Sequence, residues 1–110
     1  MLTIIDIMKR KTNILPQVQR TLIQLGKNIK TARLRRKLSM EQIAERAGVS
    51  RATVWAVEKG APSAAMGIYI QILFVLGLDT DMLQVAADDE LGRKLQDAEL
   101  LTKRRAPKRK

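Results

Sequence analysis

The stretch Leu38–Gly60 reads LSMEQIAERAGVSRATVWAVEKG and predicts two short helices joined by a tight turn. Ser39 is a preferred N-cap residue, and Gln42 three positions later completes a capping box. Gly48 suits the end of the first helix, because glycine tolerates the left-handed backbone found there. Ser50 then caps the second helix, and the final glycine closes it. This dense series of caps and stops predicts that both helices have defined ends.

Small and branched apolar residues are expected on the inner side of both helices. Ala44 is small enough to let the two helices cross closely, and Val49 and Val54 are expected to hold that crossing from inside. The expected inner face consists of Ile43, Ala44, Ala47, Val54 and Val57.

A longer helix is predicted before this stretch. Pro16 suits the first position of a helix, and apolar residues recur at spacings of three and four from there to Lys37. Gly26 inside this helix costs about 1 kcal/mol relative to alanine, so a break or a late start there is possible. The expected inner stripe is Val18, Leu22, Leu25, Ile29 and Ala32.

Further helices are predicted after the stretch. Ser63 is expected to cap a helix over residues 64–76, with Gly77 as its stop, and Asp79 to cap the next. Residues 88–100 are expected to be partly helical. The expected inward-facing residues are Ile68, Tyr69, Ile72, Leu73 and Leu76, followed by Met82, Leu83 and Ala86.

The composition agrees with an all-α fold. Apolar residues make up 45% of the chain but aromatic residues only 3%. Aliphatic residues must therefore fill the interior, which favours helices over a sheet. We predict a compact bundle of about five helices in one domain over residues 16–100, with an N-terminal arm over residues 1–15 and a disordered basic tail over residues 101–110.

The residue types that are missing exclude several kinds of chemistry. The 110 residues contain no cysteine and no histidine. Thiolate and imidazole metal sites, Cys and His nucleophiles and the commonest general base are therefore excluded. We expect no metal, no cofactor and no enzymatic activity. Met1–Met8 is apolar but far shorter than a membrane span, so we expect a cytoplasmic protein.

The positive charge is unevenly distributed. The net charge is +10 and the pI is about 10.6. Residues 1–60 carry 13 basic and 4 acidic side chains, whereas residues 61–102 carry 2 basic and 7 acidic ones. This polarity predicts a polyanion such as DNA on one side of the molecule. A basic surface that serves only solubility is the alternative.

The same stretch resembles the helix-turn-helix of Cro/C1-type (XRE) repressors. The resemblance lies in six positions: Ala44, Gly48, Val49, Ser50, Val54 and Val57. It implies a nucleoid-associated protein with a lambda-repressor-like DNA-binding fold, whose second motif helix lies in the major groove of duplex DNA. Where the family commonly has glutamine at the start of the first motif helix, this chain has Met40, which weakens one phosphate contact. The implied DNA-binding residues are Lys30, Arg35, Arg36, Ser39, Ser50, Arg51, Ala52, Thr53, Trp55, Ala56 and Lys59.

These residues differ in the roles that the resemblance implies. Arg51 is the expected base reader, because its planar fork fits guanine O6 and N7, although it is also compatible with a solvated first-turn residue. Ala52 and Ala56 can only touch thymine methyl groups or leave room. For Trp55, sugar-phosphate contact, a dimer seam and plain packing stay open. Arg33 and Glu58 stand where the family often has a structural ion pair.

The remainder of the chain is similar to the HipB-type antitoxins, over roughly residues 22–100. The marks are Met66-Gly67 and the segment Leu91–Leu95, LGRKL. The resemblance implies a homodimer on a palindromic operator that represses its own operon and binds a HipA-type kinase toxin of one or more chains. A stand-alone repressor and a nonspecific RNA-binding or chromatin-like protein are the alternatives.

Two segments have two interpretations each. The acidic segment Asp79–Glu99 is compatible with a surface for docking a partner or with a solvated helix face. The basic tail is expected to contact phosphate, or else only to aid solubility. Its candidate phosphate contacts are Lys103, Arg104, Arg105, Lys108, Arg109 and Lys110.

Overall fold

The computed structural model describes residues 13–105, except for the side chains of residues 103–105. Most of the expected N-terminal arm, residues 1–12, and residues 106–110 of the expected tail lie outside the described residues. The six basic side chains expected to contact phosphate also lie outside them. The chain divides into two compact units, one ending at Asp79 and the other beginning at Thr80.

The described residues form helices and contain no β-strand, which confirms the predicted all-α class. In the first unit lie α1 (Pro16–Arg35), α2 (Met40–Ala47), α3 (Arg51–Glu58) and α4 (Met66–Val75). A 3-10 helix over Asp79–Gln84 spans the boundary, and α5 (Glu90–Arg105) lies in the second unit. No helix within residues 13–105 is both long enough and apolar enough to cross a membrane.

The predicted caps define the ends of α2 and α3. Ser39 Oγ accepts a hydrogen bond from the Gln42 amide at 3.1 Å, and Gln42 Oε1 accepts one from the Ser39 amide at 2.8 Å. Ser50 Oγ accepts from the Thr53 amide at 3.1 Å. Gly48 ends α2 with φ of 69°. The residues predicted as caps therefore form local hydrogen bonds, and the predicted C-terminal glycine has a left-handed backbone conformation.

The core of the first unit is formed by all four of its helices. Each of the five predicted inner residues of α2 and α3 is buried, and the inner stripe of α4 is buried at four of its five predicted positions, with Ile68 half-buried. Burying one large aliphatic side chain stabilises a fold by about 1.5–3 kcal/mol. The largest fully buried side chains are Ile29, Ile43, Val54, Val57 and Ile72.

Two glycines bring the backbones of α1 and α3 into direct contact. A Cβ atom on Gly26 would lie 2.5 Å from the Glu58 carbonyl oxygen, and one on Gly60 would lie 2.5 Å from the Ile23 amide nitrogen. Gln19 Nε2 also donates to the Gly60 carbonyl at 3.0 Å. Helix α1 is continuous through Gly26, so the glycine is a packing position and not a break.

Two predictions about the ends of the first unit were wrong. Val18 is exposed instead of buried, because 20-residue α1 is longer than its eight-residue partner α3. Helix α4 begins at Met66, and its N-cap is Ala65, so Ser63 is not the cap. The reason is a turn closed by the Ala64 amide on the Ala61 carbonyl at 3.4 Å, which places Ser63 inside the loop.

The second unit differs from its prediction in two respects. Asp79–Gln84 forms a 3-10 helix, and Leu83 and Ala86 are exposed rather than packed inward. The 3-10 helix ends at Gln84, so Ala86 lies beyond it, with a positive φ of 60°, and the predicted helical stripe does not extend that far. Helix α5 continues to Arg105, although residues 101–105 were predicted in the disordered tail. Leucine, lysine and arginine are good helix formers, and each extends an existing helix at little cost.

Candidate nucleic-acid interface

Helices α2 and α3 form a two-helix motif with one open side. The turn between them is closed by the Val49 amide, which donates to the Ala44 carbonyl at 3.0 Å. Val54, Val57 and Glu58 turn inward from α3 and are buried. The opposite side of α3 is exposed and is lined by Arg51, Ala52, Trp55 and Lys59. An exposed helix face with two cations and one aromatic ring suits contact with a polyanion.

A buried ion pair holds the end of α3. Arg33 Nε donates to Glu58 Oε2 at 2.7 Å and Arg33 Nη2 donates to Glu58 Oε1 at 3.0 Å, so Arg33 and Glu58 form the ion pair expected for these positions. Arg33 Nη1 also donates to the Leu38 carbonyl at 2.9 Å. The hydrogen bond to Glu58 raises the pKa of Arg33 above its usual value, despite the opposing effect of burial. One guanidinium therefore connects α1, the loop before α2 and the end of α3.

Arg51 has an ion-pair partner that the sequence analysis missed. Its Nε atom lies 2.8 Å from Glu41 Oε1, and both side chains are more than 60% exposed. Glu41 lies in the first turn of α2 and Arg51 in the first turn of α3. Ten positions separate the two residues, so no helical spacing indicates the pair. Only the crossing of the two helices brings them together.

Trp55 and Arg51 line a cleft on the exposed face of α3. The cleft measures about 290 Å³, and its third lining residue is Ala52. Trp55 is 55% exposed, so less than half of its surface is covered by the rest of the described chain. Lys59 Nζ lies 5.6 Å from the centre of the Trp55 ring, within cation–π range.

The other predicted DNA-binding residues are distributed over three helices. The hydroxyl groups of Ser39 and Ser50 serve as helix caps, and Ser50 Oγ lies 2.9 Å from Thr53 Oγ1. Ala56 is half-buried, so it contributes less to the exposed face than Ala52. The basic residues on or next to α1, namely Lys30, Arg35 and Arg36, are exposed, and Arg36 Nη1 donates to the Ala32 carbonyl at 2.9 Å.

A second groove lies between α2 and α4. It measures about 460 Å³ and includes Arg46, Ile70 and Phe74 among its lining residues. Gln71 Nε2 donates to the Ala47 carbonyl and so joins the two helices. Phe74 is 68% exposed and nearby Met66 is 69% exposed. Within residues 13–105, no cluster of acidic side chains is suited to holding a metal ion.

The amino-acid sequence of this chain is similar to a known protein family. A family model described as a helix-turn-helix domain matches residues 24–86, which is more than half of the chain. The matched segment contains most of α1 and all of α2, α3 and α4. No curated protein matches the chain.

Proposed function

Since this chain belongs to the helix-turn-helix domain family of DNA-binding regulators, we propose that it is a sequence-specific transcriptional repressor. In this proposal α3 enters the major groove of duplex DNA, and Arg51 contacts a guanine there. Lys59 and the basic residues of α1 contact the sugar-phosphate backbone. The contacts to bases select the sequence, and the contacts to phosphate add affinity for any duplex.

The observation that carries this proposal is the exposed face of α3, since the C-terminal end of the same helix is held against α1. Glu58 is bonded to Arg33, and the backbone of α3 is in close contact with Gly26. Base readout depends on side chains that are placed to within fractions of an ångström. A rigid attachment of α3 to α1 supports a function in which Arg51 must meet defined acceptor atoms.

The Glu41–Arg51 pair is compatible with guanine recognition. Exposed ion pairs contribute only about 0–1 kcal/mol, so the pair is no barrier to binding. The contact uses Arg51 Nε, whereas the two terminal nitrogens of a guanidinium suffice for a bidentate contact with guanine O6 and N7. Glu41 can therefore stay bound to Arg51 Nε while the two terminal nitrogens of the Arg51 guanidinium contact the guanine.

Alanine at Arg51 is expected to weaken binding to the preferred duplex by about 1–3 kcal/mol and to change binding to random duplex much less. The preferred duplex is first selected from a random pool with the full chain, and affinities are then measured by fluorescence anisotropy. Arg46→Ala is the matched control, because Arg46 lines the groove between α2 and α4. Equal losses of Arg51→Ala on both duplexes would show that Arg51 contacts only phosphate. If the pool yields no preferred sequence, the nonspecific binder replaces the repressor.

We further propose that the protein is a homodimer on a palindromic operator. Helix α4, MGIYIQILFV, is apolar on nearly every side, yet only Tyr69, Ile72 and Leu73 of it are buried. A helix that is hydrophobic all round is normally covered on all sides. In the proposed dimer a second copy covers the exposed Met66 and Phe74. The two α3 helices would then lie about one DNA turn, roughly 34 Å, apart.

The finer role that we propose is that of antitoxin and autoregulator of a HipA-type kinase operon. The support is the resemblance over residues 22–100 and the separation of charge along the chain, since the acidic segment Asp79–Glu99 is unsuited to DNA and suits a protein partner. Leu91 and Leu95 of α5 are exposed, which supports a partner for this helix. A stand-alone repressor is the second candidate, and it requires only the helix-turn-helix domain that the family model matches.

Expression with the neighbouring genes of its operon is expected to yield a stable complex between the tagged full chain and a chain with a kinase fold. The measurement is size-exclusion chromatography with identification of the bound chain by mass spectrometry. Arg51→Ala is expected to retain the complex, because Arg51 is assigned to DNA. If no kinase-like chain is retained under these conditions, the stand-alone repressor is the correct function.

A further inference from the structure

We propose that the cleft formed by Arg51, Ala52 and Trp55 binds the C5-methyl group of a pyrimidine that lies next to the guanine contacted by Arg51. The proposal rests on the proposed function and adds to it a specificity-determining residue, Trp55. The observations that carry it are the shape of the cleft, the way its two walls are held and the chemistry of its lining.

The cleft lies on one stretch of the exposed face of α3. Arg51 and Trp55 are four residues apart and therefore neighbours on the helix surface, and Ala52 lies beside both of them. Long side chains on a helix lean toward its N-terminus, so the Trp55 ring leans over the turn that carries Ala52. Alanine at this position leaves the space between the walls open to a volume of about 290 Å³.

Each wall of the cleft is held by a charged residue outside it. Glu41 contacts Arg51 Nε at 2.8 Å, and Lys59 Nζ lies 5.6 Å from the Trp55 ring centre. Lys59 follows Trp55 by four residues, whereas Ala52 precedes it by three, so Lys59 and Ala52 lie on opposite sides of Trp55 along the helix axis. Neither Glu41 nor Lys59 is among the residues that line the cleft.

The lining of the cleft selects one kind of ligand group. The indole ring and the Ala52 methyl group are apolar, and the guanidinium borders them on one side. In the major groove, the C5-methyl group of thymine is the apolar feature that a base pair presents. The guanidinium is suited to O6 and N7 of a guanine in the adjacent base pair. The cleft therefore suits a methylated pyrimidine beside a guanine, and both thymine and 5-methylcytosine carry that methyl group.

The test uses the full chain and the duplex selected from the random pool. Each thymine next to a guanine is replaced singly by uracil, which removes only the methyl group. We expect about a fourfold loss of affinity at one position in each half-site, which corresponds to about 0.8 kcal/mol for one buried methyl group. Trp55→Ala is expected to abolish this difference between thymine and uracil. Arg46→Ala, the control already used for Arg51→Ala, alters a residue outside the cleft and is expected to keep it.

A further pair of duplexes separates the two sources of the methyl group. Cytosine and 5-methylcytosine are placed, each paired with guanine, at the sensitive position. Tighter binding of the methylated duplex by wild type, lost in Trp55→Ala, shows that the cleft recognises the methyl group itself. Equal binding of these two duplexes restricts the ligand to thymine.

Three results would overturn the proposal. If every replacement of thymine by uracil is neutral although a preferred sequence exists, the cleft does not bind a methyl group and the proposed function stands. If Trp55→Ala keeps the full thymine preference, another residue reads the methyl group. If the pool yields no preferred sequence, base reading by α3 fails, and the cleft fails with it.

Discussion

Replacing Glu58 by alanine is expected to lower the free energy of unfolding by about 3–5 kcal/mol, because it leaves the buried Arg33 guanidinium without its carboxylate. Arg33 and Glu58 are each 7% exposed, and two hydrogen bonds of 2.7 and 3.0 Å join them. The penalty comes mainly from the uncompensated charge and not from the lost contact. Equilibrium urea denaturation, followed by circular dichroism at 222 nm, measures the loss.

Two controls make this prediction specific to the buried pair. Glu45→Ala removes an exposed carboxylate from α2 and is expected to change stability by about 0.5 kcal/mol or less. The double variant Arg33→Met/Glu58→Leu removes both charges and is expected to recover most of the stability lost by Glu58→Ala. If Glu58→Ala and Glu45→Ala have the same small effect, the pair does not hold α1 against α3.

Alanine at Gly26 is expected to destabilise the protein by about 3 kcal/mol, although alanine is the better helix former. The added Cβ would lie 2.5 Å from the Glu58 carbonyl oxygen and 2.7 Å from the Val57 carbonyl oxygen. These are backbone atoms, so they cannot turn aside as the end of a flexible side chain does. Helices α1 and α3 must separate, and the same denaturation experiment measures the cost.

Gly67→Ala is the matched control for this change, because it places the same methyl group in a different helix. No atom lies within 4 Å of a Cβ at Gly67 in α4. The variant is therefore expected to be unchanged or more stable by up to about 1 kcal/mol, as helix propensity alone predicts. A stabilised Gly26→Ala variant would contradict the direct backbone contact between α1 and α3.

Local signals in the sequence were sufficient for the short helices. The Ser39 capping box, the Ser50 cap and the left-handed Gly48 all involve atoms within a few residues, so residue type alone indicates them. The residue type alone was misleading at Ser63, which was predicted to cap α4. A turn over residues 61–64 places Ser63 in the loop before that helix. After the first unit, the predicted helix is a short 3-10 helix that ends at Gln84, so Ala86 lies outside the element that was expected to place it inward.

The candidate site also has one part that the sequence predicts and one part that it does not. The residues on the exposed face of α3 follow from helical spacing once Val54 and Val57 are placed inward. The partners of those residues do not, with Lys59 as the exception because it lies on the same helix as Trp55. Glu41 of α2 pairs with Arg51 of α3, and Gly26 of α1 packs against the backbone of Glu58 in α3.

Residue types and their spacing were enough to predict the all-α class, the ends of α2 and α3, the inner faces of these two helices and the concentration of positive charge in residues 1–60. These properties depend on hydrogen bonds and apolar spacing within a few turns of chain. Three features became visible only in the folded chain: Gly26 is a contact and not a break, Glu41 pairs with Arg51, and Trp55 lines a cleft. Each of these depends on how closely and at what angle two helices cross, and that is set by the packing of the whole core.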